Sequence, residues 1–192
     1  MSNCKAILSG GSAPRGLAEQ GQCSQLRLQT FKHTVQTHPL RLVRAPWLRD
    51  AANPVYQVKS INYLEAILAR RQALALGADD ALFFNLQHHA TETTCANLFL
   101  IHKESLLTPP LVDGVLPGIT RSRILTLSRQ RNISCQEISL TSTMIEEADA
   151  VFTTNSLQGI RAVLSLDGVG FAVDHLLIEQ LQSSLCVWNE AY

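Results

Sequence analysis

Residues 81–102, ALFFNLQHHATETTCANLFLIH, decide the fold. Two runs rich in apolar and β-branched residues, ALFFNL (81–86) and ATETTCANLFLIH (90–102), flank the polar Gln87, His88 and His89. Such runs around a short polar break read as a β-hairpin, and SLLTP beyond them adds a third strand. Further toward the C-terminus, LVDGVLPG carries Gly114, Pro117 and Gly118 and marks a loop. TRSRILTLSRQRN then sets Ile124, Leu125 and Leu127 against a basic outer face, which predicts a helix starting near Thr120. ISCQEISL reads as a strand, and Thr143 with Glu146 as a capping box for the helix TMIEEAD. AVFTTNS is a buried strand, IRAVLSLDG a strand closed by an Asp-Gly turn, and 174–188 a final helix. Toward the N-terminus, Ile61, Leu64, Ile67, Leu68 and Leu74 recur at roughly helical spacing between Ser60 and Leu76, with Gly77 as a stop. This predicts an amphipathic helix. Residues 40–44 and 24–31 alternate in strand fashion, and the strand 4–9 runs into the turn GGSAPRG.

Strands and helices alternate, so the fold class is α/β (α+β), and no linker, charge run or repeat divides residues 1–192. We read one domain. The Gly-x-Gly-x-x-Gly fingerprint is absent, which disfavours a dinucleotide-binding domain.

Sixteen basic and sixteen acidic side chains cancel, and only 17% of residues are charged, so the chain has no net field to draw in nucleic acid or an anionic membrane. With 46% hydrophobic residues it is able to bury roughly 70% of its unfolded surface, and disorder is excluded. No apolar run approaches the ~20 residues of a membrane span, and the first residues lack the apolar stretch of a secretion signal. A soluble, cytoplasmic protein is expected. The five cysteines, Cys4, Cys23, Cys95, Cys135 and Cys186, are widely spaced and form no ligand pattern with histidine, so neither a disulfide framework nor a metal site is expected.

Four stretches carry residues able to do chemistry. Lys59 follows VYQV and precedes the helix SINYLEAIL, a strand-to-helix junction from which its amine could enter a cleft and become nucleophilic. A solvated lysine at a helix start is the competing reading. Glu92 lies in a lightly charged strand where it faces either a buried cation or solvent. LPGITR delivers the free backbone N–H groups of Ile119, Thr120 and Arg121 at a helix N-terminus, beside a hydroxyl, a construction that holds phosphate. The polar turn Thr154 to Ser156 could bring a second hydroxyl to the same anion.

Taken together, Lys59-Ser-Ile-Asn-Tyr-Leu, Gly77-Ala-Asp-Asp-Ala-Leu, Glu92-Thr-Thr-Cys-Ala-Asn97-Leu-Phe, Thr108-Pro-Pro-Leu, Leu116-Pro-Gly-Ile-Thr-Arg121 and Ala148-Asp-Ala-Val-Phe-Thr-Thr-Asn-Ser156 resemble, in order and spacing over about residues 5–170, the class IV aminotransferases. These are fold-type IV pyridoxal phosphate enzymes, including aminodeoxychorismate lyase and the D-amino-acid and branched-chain aminotransferases. The resemblance implies their large C-terminal domain, with a mixed, barrel-like sheet and flanking helices. It implies pyridoxal 5'-phosphate joined to Lys59, which would also move the substrate α-proton. Glu92 would stand on the pyridine nitrogen, Ile119 and Thr120 would form the phosphate cup, and Asn155 and Ser156 would supply the second polar turn. Leu116 would pack on the cofactor ring, and Tyr63 would lie near its ring hydroxyl. It implies a homodimer acting on a small amino or aminodeoxychorismate-type substrate.

Two features depart from the family pattern. Members carry a small N-terminal domain ahead of the strand that here begins at Lys5, which would supply an arginine to the phosphate. A chain without it is expected to bind the cofactor weakly. In GGSAPRGL, D-amino-acid transaminases resemble Ala-Pro-Arg but place a histidine where Leu17 stands, whereas the lyases more often show Arg-Gly, as at Arg15 and Gly16. Arg15 is the candidate for holding a substrate carboxylate, against the alternative of a surface turn arginine. The leading expectation is therefore conversion of aminodeoxychorismate to 4-aminobenzoate and pyruvate. Transamination of a D- or branched-chain amino acid, or a non-catalytic dimerisation domain, are the alternatives.

Overall fold

A computed structural model describes residues 2–189, with side chains over 3–185. It divides into two compact units, residues 1–36 and 37–192. In the first, β1 (Ser2–Ser9) pairs antiparallel with β2 (Gln25–Lys32), from Ser2 opposite Lys32 to Ser9 opposite Gln25. A bridge between Ser12 and Gln22 closes the intervening loop. There Gly11 takes φ +84°, and a Cβ would overlap the Gln22 carbonyl, so glycine alone fits.

The second unit holds β3 (Leu40–Arg49), α1 (Leu64–Ala75), β4 (Asp80–Asn85), β5 (Ala90–Thr93), β6 (Asn97–His102) and β7 (Ser105–Thr108). It continues with α2 (Ile119–Gln130), β8 (Cys135–Glu137), α3 (Ser142–Glu146), β9 (Ala150–Asn155), β10 (Gly159–Leu166), β11 (Val169–Gly170) and α4 (Leu176–Asn189). Nine strands form one mixed sheet. Because β9 pairs with both β10 and β6, the run β10–β3–β4–β5–β6 closes on itself through β9 as a ring. β7 and β8 extend from β6, and β11 from β10.

Strand alternation sorts the core. Leu98 and Leu100 of β6 join Leu42, Leu82, Phe84, Val151 and Val163 in one cluster. Phe99 and Ile101 point the other way, to Phe152 and Ile160, where Ile124 and Leu127 of α2 and Leu177, Ile178 and Leu181 of α4 cover them. On β4, Ala81 and Phe83 receive α1.

Several expected elements are shifted. The run 90–102 is two strands broken by a bend at 94–96, with Glu92 opposite Asn97 across it. Residues 54–57 form a 3-10 turn rather than a strand, since Pro54 removes a donor and Asn53 caps Val55 N–H. The cap of α3 is Thr141, whose hydroxyl accepts from Met144 N–H, so the proposed Thr143 and Glu146 capping box does not form. The largest reversal concerns α1. Leu64, Ile67, Leu68 and Leu74 are exposed or half-exposed, while Ala69 and Ala73 are buried against the sheet. Cys4, Cys23, Cys95 and Cys135 are free thiols, and the Cys186 side chain lies outside those described. Among the described residues no helix is long and apolar enough to cross a membrane, and no group of three or more His, Cys, Asp or Glu stands together as a metal site.

Candidate functional site

The ends of β3, β5 and β9, the segment leading into α1 and the N-terminus of α2 converge on a cleft of 1180 Å³, ample for a cofactor-sized ligand. Lys59, Tyr63, Glu92, Leu116, Ile119, Thr120, Asn155 and Ser156 all line it.

Glu92 is the centre of its polar network. Its Oε2 accepts the Leu116 N–H at 3.1 Å and the Asn97 amide at 3.5 Å, and its Oε1 accepts from Arg49 at 3.3 Å. Burial nonetheless pushes its pKa up to about 7, outweighing the opposing pull of Arg49, the Leu116 N–H and Lys59. The carboxyl is thus poised to change charge near neutrality.

Arg49 lies at the end of β3, buried, with its guanidinium 3.4 Å from the Phe83 ring centroid and 4.7 Å from that of Tyr56. Its Nε and Nη2 both reach Glu65 Oε2 at 3.0 Å. Glu65, in the first turn of α1, also accepts from Trp47 Nε1 at 2.9 Å and the Tyr56 hydroxyl at 3.2 Å. A chain of charge-assisted bonds therefore runs from the helix start through Arg49 to Glu92. Sequence reasoning missed Arg49 and Glu65 and gave Asn97 no role. The available signals were Trp47 and Arg49 on one face of a strand and an acid in the first helical turn.

Lys59 precedes α1 on an exposed segment, and its Nζ donates to the Tyr63 hydroxyl at 2.8 Å. The junction is not the expected strand-to-helix one: β3 ends at Arg49 and the 3-10 turn intervenes.

At the opposite wall, Gly118 caps α2 with no side-chain bond, and the first helical bond is Ser122 N–H to Gly118 O. The N–H groups of Ile119, Thr120 and Arg121 are the donors that a helix start leaves open. A Cβ at 118 would overlap Asn97 Oδ1, so a larger residue there would displace the Asn97 amide. Asn97 in turn donates to Leu116 O at 2.9 Å, which ties the loop before α2 to the start of β6.

Asn155 closes the β9–β10 turn: its Oδ1 accepts the N–H groups of Leu157 and Gln158 at 2.9 and 2.8 Å, and its Nδ2 donates to Cys95 O at 3.2 Å. Its amide thus ties this turn to the bend at 94–96, and Ser156, next in the turn, is exposed on the lining of the cleft. Arg15 is exposed in the loop of the 1–36 unit.

A family model of amino-transferase class IV matches residues 2–166. A crystal structure from Legionella pneumophila, of a protein provisionally named 4-amino-4-deoxychorismate lyase, is 61% identical with a TM-score of 0.94, covering 98% of this chain and 69% of that one. The aminodeoxychorismate lyase of Vibrio harveyi is 32% identical over 130 residues, which are 66% of this chain and 48% of that protein. The branched-chain-amino-acid aminotransferase of Salmonella typhimurium is 31% identical over 125 residues, 64% of this chain and 40% of that protein. The chain spans less than half the length of these two curated relatives.

Proposed function

The chain belongs to the class IV amino-transferases, and on that footing we propose that it works with pyridoxal 5'-phosphate as a cytoplasmic lyase, forming 4-aminobenzoate and pyruvate from 4-amino-4-deoxychorismate. One observation carries the choice of reaction: 61% identity over nearly the whole chain to the Legionella protein of that provisional name. Similarity to branched-chain aminotransferases supports transamination as the second reading.

The residues present suit the cofactor. A buried carboxyl that titrates near 7, an amine across the same cleft and an uncapped helix start match its pyridine nitrogen, aldehyde and phosphate respectively. When bound, the cofactor supplies a ring that withdraws electrons and so stabilises negative charge at the substrate α-carbon. Glu92, as the carboxylate, would hold a proton on the pyridine nitrogen, and Arg49 would keep that carboxylate in place. Lys59 would join the cofactor covalently and then move the α-proton at Nζ, with Tyr63 fixing where the amine sits. Ile119 and Thr120 would hold the phosphate through their N–H groups, with Ser156 adding a hydroxyl, and Leu116 would cover one face of the ring. Arg15 is assigned to a substrate carboxylate on the resemblance alone.

Two measurements test this reading. Borohydride treatment of the purified chain with pyridoxal phosphate is expected to leave an adduct that mass spectrometry finds on the peptide of Lys59. An adduct on Lys5, Lys32 or Lys103 instead contradicts the assignment. Release of 4-aminobenzoate from 4-amino-4-deoxychorismate separates the lyase from a transaminase. A homodimer is also proposed, supported by the exposed Leu64, Ile67, Leu68 and Leu74 on α1. Light scattering at micromolar concentration is expected to give twice the chain mass, and a clean monomer removes the proposal.

A further inference from the structure

We infer that the Thr154 hydroxyl is a further donor in the anion cup at the N-terminus of α2, binding the phosphate of the cofactor. This rests on the pyridoxal phosphate reading above. Among the described side chains, only Asp113 Oδ2, Arg121 Nε and Thr154 Oγ1 are buried nitrogen or oxygen atoms without a hydrogen-bond partner. Asp113 and Arg121 engage another polar atom of the same side chain, with His89 at 3.8 Å and with Pro109 O at 2.9 Å. Thr154 has no second polar atom, and it is 1% exposed. A buried hydroxyl left without a partner is destabilising, and a ligand oxygen beside it would remove that cost.

The strand register places the group. Thr154 stands directly opposite Asn97 of β6 and Ile160 of β10, so the three side chains share one face of the sheet. Phe152, two residues back on that face, packs with Ile124 and Leu127 of α2. Asn97 reaches Leu116 O, and its Oδ1 occupies the place a side chain at Gly118 would take. Thr154 is therefore the next residue along the face that α2 covers, and it lines the same cleft as Thr120. Thr153 faces the other way and bonds Arg161 O at 3.5 Å. A hydroxyl that donates, set beside a helix start, suits an anion with several acceptor oxygens better than a neutral ligand.

The test compares equilibrium binding of pyridoxal phosphate and of pyridoxal, which lacks the phosphate, to the wild-type chain, Thr154→Val, Thr154→Ala and Thr154→Ser. Circular dichroism checks the fold of each. Thr154→Val, or Thr154→Ala if the valine variant does not fold, is expected to weaken pyridoxal phosphate binding roughly tenfold or more and leave pyridoxal binding unchanged. Thr154→Ser is expected to retain wild-type affinity for both. Unchanged pyridoxal phosphate affinity in the folded variants, or equal loss of both ligands, overturns the inference. A wild-type chain that binds neither compound overturns the cofactor reading itself.

Discussion

Lys59→Ala is expected to leave the chain folded, to abolish covalent retention of pyridoxal phosphate and to lower turnover roughly a hundred- to ten-thousandfold, the contribution of a positioned acid–base group. The side chain is exposed, and its hydrogen bond is to the Tyr63 hydroxyl, itself partly in solvent, so its removal opens no cavity and strands no buried partner. Stability should move by no more than about 0.5 kcal/mol. Lys59→Arg separates charge from nucleophilicity, because a guanidinium keeps the positive charge yet is not deprotonated to attack a carbonyl. Both variants are therefore expected to lose the borohydride-trapped adduct. Turnover within tenfold of wild type in Lys59→Ala would show that another amine does the work.

Glu92→Gln carries the second large effect, and it has two parts with opposite signs. Turnover should fall roughly a hundred- to a thousandfold, since a neutral amide cannot hold a proton on the cofactor's ring nitrogen. Stability of the ligand-free chain should rise at high pH. Burial holds the Glu92 pKa at about 7, against 4.5 for the free side chain. Between those values the folded chain binds more protons than the unfolded chain, so wild-type stability falls as pH rises through the window. The fall amounts to about 3 kcal/mol once the carboxyl is fully ionised. Glutamine does not titrate, so urea unfolding of wild type and variant should converge near pH 4 and separate by pH 8, with the variant the more stable. Parallel pH profiles for the two would contradict a carboxyl titrating near neutrality in the fold.

How much of this was legible depends on how local the signal was. The strands around 81–102 were readable because alternation on β6 divides Leu98 and Leu100 from Phe99 and Ile101 between two cores, and a period of two is a property of neighbours in sequence. The bend at 94–96 was not, since an apolar and β-branched run gives no mark where hydrogen bonding changes edge. On α1 the periodicity was real but its sense was inverted. Small Ala69 and Ala73 let the helix lie close on Ala81 and Phe83, so the larger Leu64, Ile67 and Leu68 turn outward. Of the residues that line the cleft, Lys59, Glu92, Ile119, Thr120 and Ser156 were singled out because they stand in recognisable stretches. Arg49 and Glu65 were not, because their meaning lies in contacts with each other and with Glu92, in separate parts of the chain. Thr154 looked like one polar residue in a turn until its register opposite Asn97 was known.

The closure of the sheet through β9 bears on how the protein forms. Nearest-neighbour hairpins such as β6–β7 join residues close in sequence and need little loop closure. The seam between β3 and β10 joins distant ones: Arg44 N–H reaches Asp167 Oδ1 across 123 residues. Of the two seams of β9, the one with β10 is a local hairpin, whereas the one with β6 sets Thr154 opposite the distant Asn97. The face on which the phosphate cup is proposed is thus expected to close through a long-range pairing. The β5–β6 hairpin that carries Glu92 is expected to form before that pairing, and a cofactor that binds only the closed ring would favour the closed state by mass action.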